Sequence, residues 1–202
     1  MANPTYPNVS GIFLVGSDFK GRYTISTSTS ADIILQSVID AWEKKTIMKL
    51  FGVELGNLVI AYHIAHPSSD FDQRFEDLIA PFDLQAKQVL SSNDWCYCKR
   101  VYDIHSSLGL VDFLTAVIYF YYISDDQIKN SQSGMVVSGV ETANVLSPRE
   151  AQRVGESKYN KALETSDAIQ WFCHWKKDDV TNDKVYPEYQ GVKFQPQYGS
   201  IL

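Results

Sequence analysis

The sequence is short of cysteine: Cys96, Cys98 and Cys173 are the three thiols in 202 residues. The number is odd, and Cys96 and Cys98 lie too close together to bridge comfortably. The expectation is a reducing compartment and not a disulfide framework. Basic charge is also in deficit. Lys and Arg total 18 against 24 Asp and Glu, a net charge of −6, and the pI is about 5.2. That is the wrong sign for a chain whose main task is gripping phosphates with a basic face. No secretory leader is expected, because the run Ile12-Phe13-Leu14-Val15 is short, lacks a basic lead and meets no small-residue cleavage site. Leu108 to Ile123 is mostly apolar but only sixteen residues long and carries Asp112. It falls short of the roughly 20 residues that span a bilayer and reads as a buried central helix. The patterns G-x-G-x-x-G, G-x-S-x-G and H-E-x-x-H are absent, and no nucleophile has an evident base.

What is present suits a folded domain. Hydrophobic residues make up 45% and charged residues 21%, which excludes wholesale disorder. A chain of this size can bury roughly 70% of its unfolded surface, enough for a core without staples. Aromatics are plentiful, with 12 Tyr and 10 Phe.

Residues 1–30 read as an extended N-terminal segment punctuated by Pro4, Pro7, Gly11, Gly16 and Gly21, with Ile12–Val15 and Arg22–Ser26 as candidate paired strands. Ser30 leads into a helix with Ile34, Leu35, Val38, Ile39 and Trp42 on one face. Glu43-Lys44-Lys45 reads as a polar break, Thr46 to Phe51 as a resumption and Gly52 as a stop. Glu54 to Ala65 predicts a third helical segment with Leu55, Leu58, Val59 and Tyr62 facing inward, and Asp70 to Ile79 a short helix ending near Pro81. Residues 81–106 have no clear period. Ser107 to Asp125 predicts a central helix, apolar nearly all round and so covered on most sides. Gly134 to Leu146 suits a β-hairpin or extended finger. Ser147-Pro148-Arg149-Glu150 opens a long helix reaching Trp175, with cap residue, proline and Glu in order. Residues 176–202 show no period, yet carry Tyr186, Tyr189, Phe194 and Tyr198 with Pro187 and Pro196 between. Spaced aromatics in a proline-marked segment suggest an arm that orders on a partner. The fold class is mainly α: a helical bundle over 1–175 with a small hairpin or finger, and an extended C-terminal arm over 176–202.

Candidate chemistry is sparse. His63 and His66, followed by Asp70 and Asp72, could hold a metal, but Pro67 interrupts the helix and no second cluster completes the set. Cys96, Cys98, His105, Cys173 and His174 lack zinc-knuckle spacing, so buried inert thiols are the better reading. Asp125-Asp126 at the end of the central helix could bind metal or act as acid and base, although an acidic loop is the default. No cofactor, metal or enzymatic activity is expected.

Four stretches, in order, carry a resemblance. They are Ser17-Asp18-Phe19-Lys20 leading to Tyr23 and Ile25; Leu50-Phe51-Gly52-Val53-Glu54-Leu55; Leu108-Gly109-Leu110 with Phe113-Leu114 and Tyr119-Phe120-Tyr121-Tyr122; and Ser133-Gly134-Met135-Val136 before Ala143, a capped helix and Tyr159-Asn160. Together they resemble the head–tail connector (adaptor) proteins of tailed bacteriophages, in a form found in phages of Bacteroidota hosts including crAss-like phages. The resemblance covers about residues 17–173 and is weakest over 81–106 and the last 27 residues. It implies a structural virion protein forming a ring of probably twelve copies at the head–tail junction. Its partners would be further copies of itself, the portal protein, the next neck or tail ring, and double-stranded DNA passing through without sequence-specific binding, with no membrane. An acidic balance suits a channel that must let phosphates slide. On this reading Tyr186, Pro187, Tyr189, Phe194, Pro196, Tyr198 and Leu202 form the portal-binding arm, and Met135, Val136, Val137 and Val140 an inter-subunit finger. The alternatives are a lower-neck stopper or tail-completion ring, a metal-dependent enzyme using Asp125, Asp126 and the histidines, and a helical host regulator.

Overall fold

A computed structural model describes residues 6–25, 28–65, 73–83, 106–129, 135–136, 145–146, 148–178 and 181–191. Among them are five α-helices: α1 (Thr29–Phe51), α2 (Val53–Ala65), α3 (Gln73–Ile79), α4 (Leu110–Lys129) and α5 (Pro148–Trp175). Two two-residue antiparallel ladders accompany them. In one, β1 (Phe82–Asp83) pairs with β2 (Ser106–Ser107), Phe82 opposite Ser107. In the other, β3 (Met135–Val136) pairs with β4 (Val145–Leu146), Met135 opposite Leu146. The protein is mainly helical, as its periodicity predicts. The chain forms two compact units, one of Met1–Lys44 with Val111–Leu163, the other of Lys45–Leu110 with Glu164–Leu202.

In the first unit, the pairing expected between Ile12–Val15 and Arg22–Ser26 does not form. Gly16–Asp18 and Gly21–Tyr23 are single 3-10 turns, and Ser10 bridges Val15. The backbone N–H groups of residues 12–14, which a strand partner would need, are taken by Glu43. The segment nevertheless contributes core: Val9, Phe13, Leu14, Phe19, Tyr23 and Ile25 are buried. α1 starts at Thr29, and its cap is two residues before the expected Ser30: the Ser28 hydroxyl accepts the Ala31 N–H at 3.2 Å. The break predicted at Glu43-Lys44-Lys45 is absent, because α1 runs unbroken from Thr29 to Phe51. Trp42 of α1 stacks on Tyr121 of α4 at 4.1 Å between ring centroids. Phe120 of α4 meets Tyr159 of α5 at 4.8 Å. Apolar nearly all round, α4 buries ten of its residues between Leu110 and Ile123, as a central helix should.

In the second unit, Gly52 stops α1 as expected. Its φ of 81° lies in the left-handed region, and its N–H donates to the Met48 carbonyl at 2.9 Å, closing the helix end. The Leu50 carbonyl there is met by Gln170 Nε2 at 3.0 Å, a buried side chain donating to an orphan helix-end acceptor. α3 packs on α2 through stacked Tyr62 and Phe75 rings, 5.0 Å apart, and Tyr62 Oη donates to Glu76 Oε1 at 3.1 Å. α5 begins at Pro148, as the cap signal predicts, and in its later part Ser166, Ile169 and Cys173 are buried.

Candidate functional site

The most polar construction in the first unit is a clamp. Glu43 is 2% exposed. Its Oε2 accepts the Ile12 N–H at 2.6 Å, and its Oε1 accepts those of Phe13 and Leu14 at 2.8 and 3.0 Å. A buried carboxylate is tolerable where several donors meet it. About two turns earlier on α1, Gln36 makes a two-way pair with Ser10, accepting its N–H at 3.0 Å and donating to its carbonyl at 2.9 Å. These side chains fix the path of residues 10–14; both Glu43 oxygens are met by backbone N–H groups, and Gln36 Nε2 also donates to Asp40 Oδ1 at 2.8 Å.

A second cluster joins the N-terminal segment to α4 and α5. Arg22 Nη2 reaches both Asp112 oxygens at 2.5 and 2.6 Å, and the two side chains are 37% and 28% exposed. Lys158 Nζ donates to the Arg22 carbonyl and lies 4.2 Å from the Tyr119 ring centroid. Burial, then the charge of Arg22, pushes Lys158 below the ordinary lysine range. Burial, then Asp112, pushes the Tyr23 phenol up. Perturbed groups can mark active sites, but ion-pair networks shift pKa values too. Here each group is satisfied by another element of the fold, and a half-exposed pair of this kind contributes at most about 1 kcal/mol.

Few of the residues considered for chemistry fall among the described residues. Among the described residues, no group of three His, Cys, Asp or Glu side chains could hold a metal ion. Asp125 and Asp126 fall within α4, which continues to Lys129, and not at its end. Cys173 is a buried free thiol, pushed well above the usual range by burial, which makes it inert. Cys96, Cys98, His66, Asp70, Asp72 and His105 lie outside the described residues. Among the described residues, no helix is long and apolar enough to cross a membrane.

The expected arm is placed differently in its first part. Residues 176–178 and 183–185 run antiparallel, with the Asp178 N–H donating to the Asp183 carbonyl at 2.8 Å and the Val185 N–H to the Lys176 carbonyl at 3.1 Å. Tyr186 is 1% exposed. Its ring lies 5.7 Å from Phe172, and its hydroxyl donates to the Arg74 carbonyl at 2.7 Å. Arg74 Nη1 pairs with Glu188 at 3.0 Å, and Tyr189 is buried. The segment shows no period because long-range contacts to α3 and α5 hold it, not because it waits for a partner. Tyr186 and Tyr189 belong to the core of the second unit and are corrected as partner anchors; Pro187 between them is exposed. Phe194, Pro196, Tyr198 and Leu202 lie outside the described residues. Of the finger, Met135 and Val136 are in β3, while Val137 and Val140 lie outside the described residues.

The feature that sequence reasoning missed is on α2. Leu55, Gly56, Val59 and Ile60 are buried, whereas Leu58, expected inward, is exposed. So are Val53 at 70% and Ile64 at 72%, together with Glu54, Asn57, Ala61 and Ala65. At 100° per residue these seven occupy one continuous arc of about 140°, and Glu54 is its single charge. The signal was legible: residues 53–65 contain no Lys or Arg and one carboxylate, and a helix apolar all round calls for cover on both sides. Beside the N-terminal end of this face, Met48, Lys49, Gly52, Val53, Glu54 and Gln190 line a cleft of about 540 Å³. Comparison of the chain with protein families, with curated proteins and with solved structures finds no match.

Proposed function

We propose that the chain is a structural virion subunit of the head–tail connector type, forming a ring of twelve copies that docks on the portal and continues the DNA channel. The observation that carries this reading is the exposed apolar face of α2. A protein that works through packing needs such a face, and the described residues assemble no catalytic constellation that would compete with it. Two further features support it. The Leu50–Leu55 stretch, which carries the resemblance, folds as two helices broken at Gly52. The tyrosine-rich stretch 119–122 falls in the buried central helix. Ring subunits need large contacts between identical copies, rich in aromatic and apolar groups.

With Tyr186 and Tyr189 buried, the proposal assigns portal contact to residues 192–202 and keeps Met135, Val136, Val137 and Val140 as the inter-subunit finger. The test is mass photometry of the chain mixed with the portal ring of the same virion, using the full chain and a form ending at Gly191. The full chain is expected to add a ring's worth of mass to the portal, and the truncated form to keep its helical circular dichroism while losing docking. A full chain that ignores the portal but binds an isolated tail or neck ring would move it to the lower-neck position. Binding to neither would overturn the connector reading.

A further inference from the structure

We infer that, in the free chain, the exposed face of α2 is covered by the same face of a second copy in an antiparallel, two-fold contact. The pattern along the face is the argument. Val53, Asn57, Ala61 and Ile64 follow one another at spacings of four, four and three, with a β-branched apolar residue at each end. Reversing the helix places Val53 opposite Ile64 and brings Asn57 within one residue of Ala61, so the two ends of the face match each other. That is the condition for an isologous contact, in which one patch serves both partners. Ala61 lets two helix axes approach closely, while the β-branched ends overlap the partner's opposite ends.

Charge narrows the occupant further. Without Lys or Arg between 53 and 65, the face offers nothing to a nucleic-acid phosphate or an anionic lipid headgroup. With Glu54 as its one charge, it lacks the acidic field that would draw a basic partner. Each copy carries −6, so two copies repel unless they meet through a nearly neutral patch, and α2 supplies one.

Size sets the strength. α2 is about 20 Å long, so its face offers a few hundred Å², about half the roughly 800 Å² per partner of a stable complex. The dimer is therefore weak, with a dissociation constant on the order of micromolar. Lateral contacts in a ring run head to tail, so this closed pairing belongs to the unassembled chain, where it keeps an apolar face out of water. The inference rests on the preceding reading only in taking α2 as an interface.

Sedimentation velocity across the micromolar range tests it, on the full chain and on Ile64→Glu. The unchanged chain is expected to pass from monomer to dimer, and Ile64→Glu to weaken that step about tenfold or more, with its thermal unfolding unchanged. Val154→Glu, at an exposed apolar residue of α5, is expected to leave association unaltered. Mixing Val53→Cys with Ile64→Cys chains should give an inter-chain link between positions 53 and 64 on mild oxidation, located by peptide mass spectrometry. A monomer throughout the range, association indifferent to Ile64→Glu, or links of 53 to 53 and 64 to 64 would each overturn the inference. Failure to bind the portal would sink the connector proposal and leave this dimer standing.

Discussion

Replacing Glu43 by glutamine keeps the shape of the side chain and removes one acceptor. In the native protein, Oε1 takes two N–H groups and Oε2 a third. Glutamine can point its oxygen at Phe13 and Leu14, but its amide then faces the Ile12 N–H, donor against donor. The reverse orientation strands two donors. A hydrogen bond to a charged acceptor is worth about 1.5–3 kcal/mol, and an unmet buried donor costs about 1–3 kcal/mol. These overlap, so about 2–4 kcal/mol is expected for Glu43→Gln, a large part of a typical domain's 5–15 kcal/mol. Glu43→Ala strands all three donors, opens a cavity and should cost more. The donors are main-chain groups and cannot be mutated away, so no apolar replacement at position 43 compensates. Native-state hydrogen exchange of the amides of residues 12–14 reads the effect directly. About 3 kcal/mol corresponds to exchange faster by roughly a hundredfold. Exchange at these amides within about threefold of the unchanged protein would refute the clamp. Gly11→Ala approaches the same point from the other side. A Cβ there would strike the Glu43 carboxylate and come within 2.7 Å of Ile39 Cγ2, so it should loosen the same three amides.

Two further outcomes follow from the burial of tyrosines. Tyr186→Phe removes the bond to Arg74 and should cost about 1 kcal/mol in urea unfolding, and Tyr186→Ala about 3–5 kcal/mol; no change in either would return residues 176–191 to the role of a loose arm. Burial raises the phenols of Tyr23, Tyr119, Tyr121 and Tyr189. Their folded pKa values therefore exceed the unfolded value of about 10, so the unfolded chain binds fewer protons above that pH. The stability they contribute is full below pH 10 and is lost as pH rises through the folded values. Tyrosinate absorbance should lag behind the complement of 12 Tyr until circular dichroism collapses, and complete titration of a still-folded protein near pH 10 would contradict it.

The helices were legible because their signals are local. Gly52, Pro148 and the apolar run of α4 act within a few residues of themselves. The errors share the opposite cause. Glu43 looked like solvated charge in a polar triplet, since its partners lie 29 to 31 residues away. Residues 176–191 looked partnerless because Tyr186 bonds Arg74 across 112 residues. No window of periodicity reaches that far. The α2 face failed differently: its composition announced two apolar sides, and the reading assigned only one.

The division of the chain into units bears on how it folds during synthesis. Each unit is assembled from two separated stretches, Met1–Lys44 with Val111–Leu163 and Lys45–Leu110 with Glu164–Leu202. The N-terminal core residues thus leave the ribosome long before the helices that complete their unit. At roughly 5–20 residues per second, the wait between residues 44 and 163 is on the order of ten seconds. Throughout it, Phe13, Leu14, Phe19 and Leu35 lack the second half of their unit. Neither unit is a continuous piece that can be cut out and expressed alone, and any nascent chain stalled before α5 lacks residues 148–163 of the first unit and 164–202 of the second.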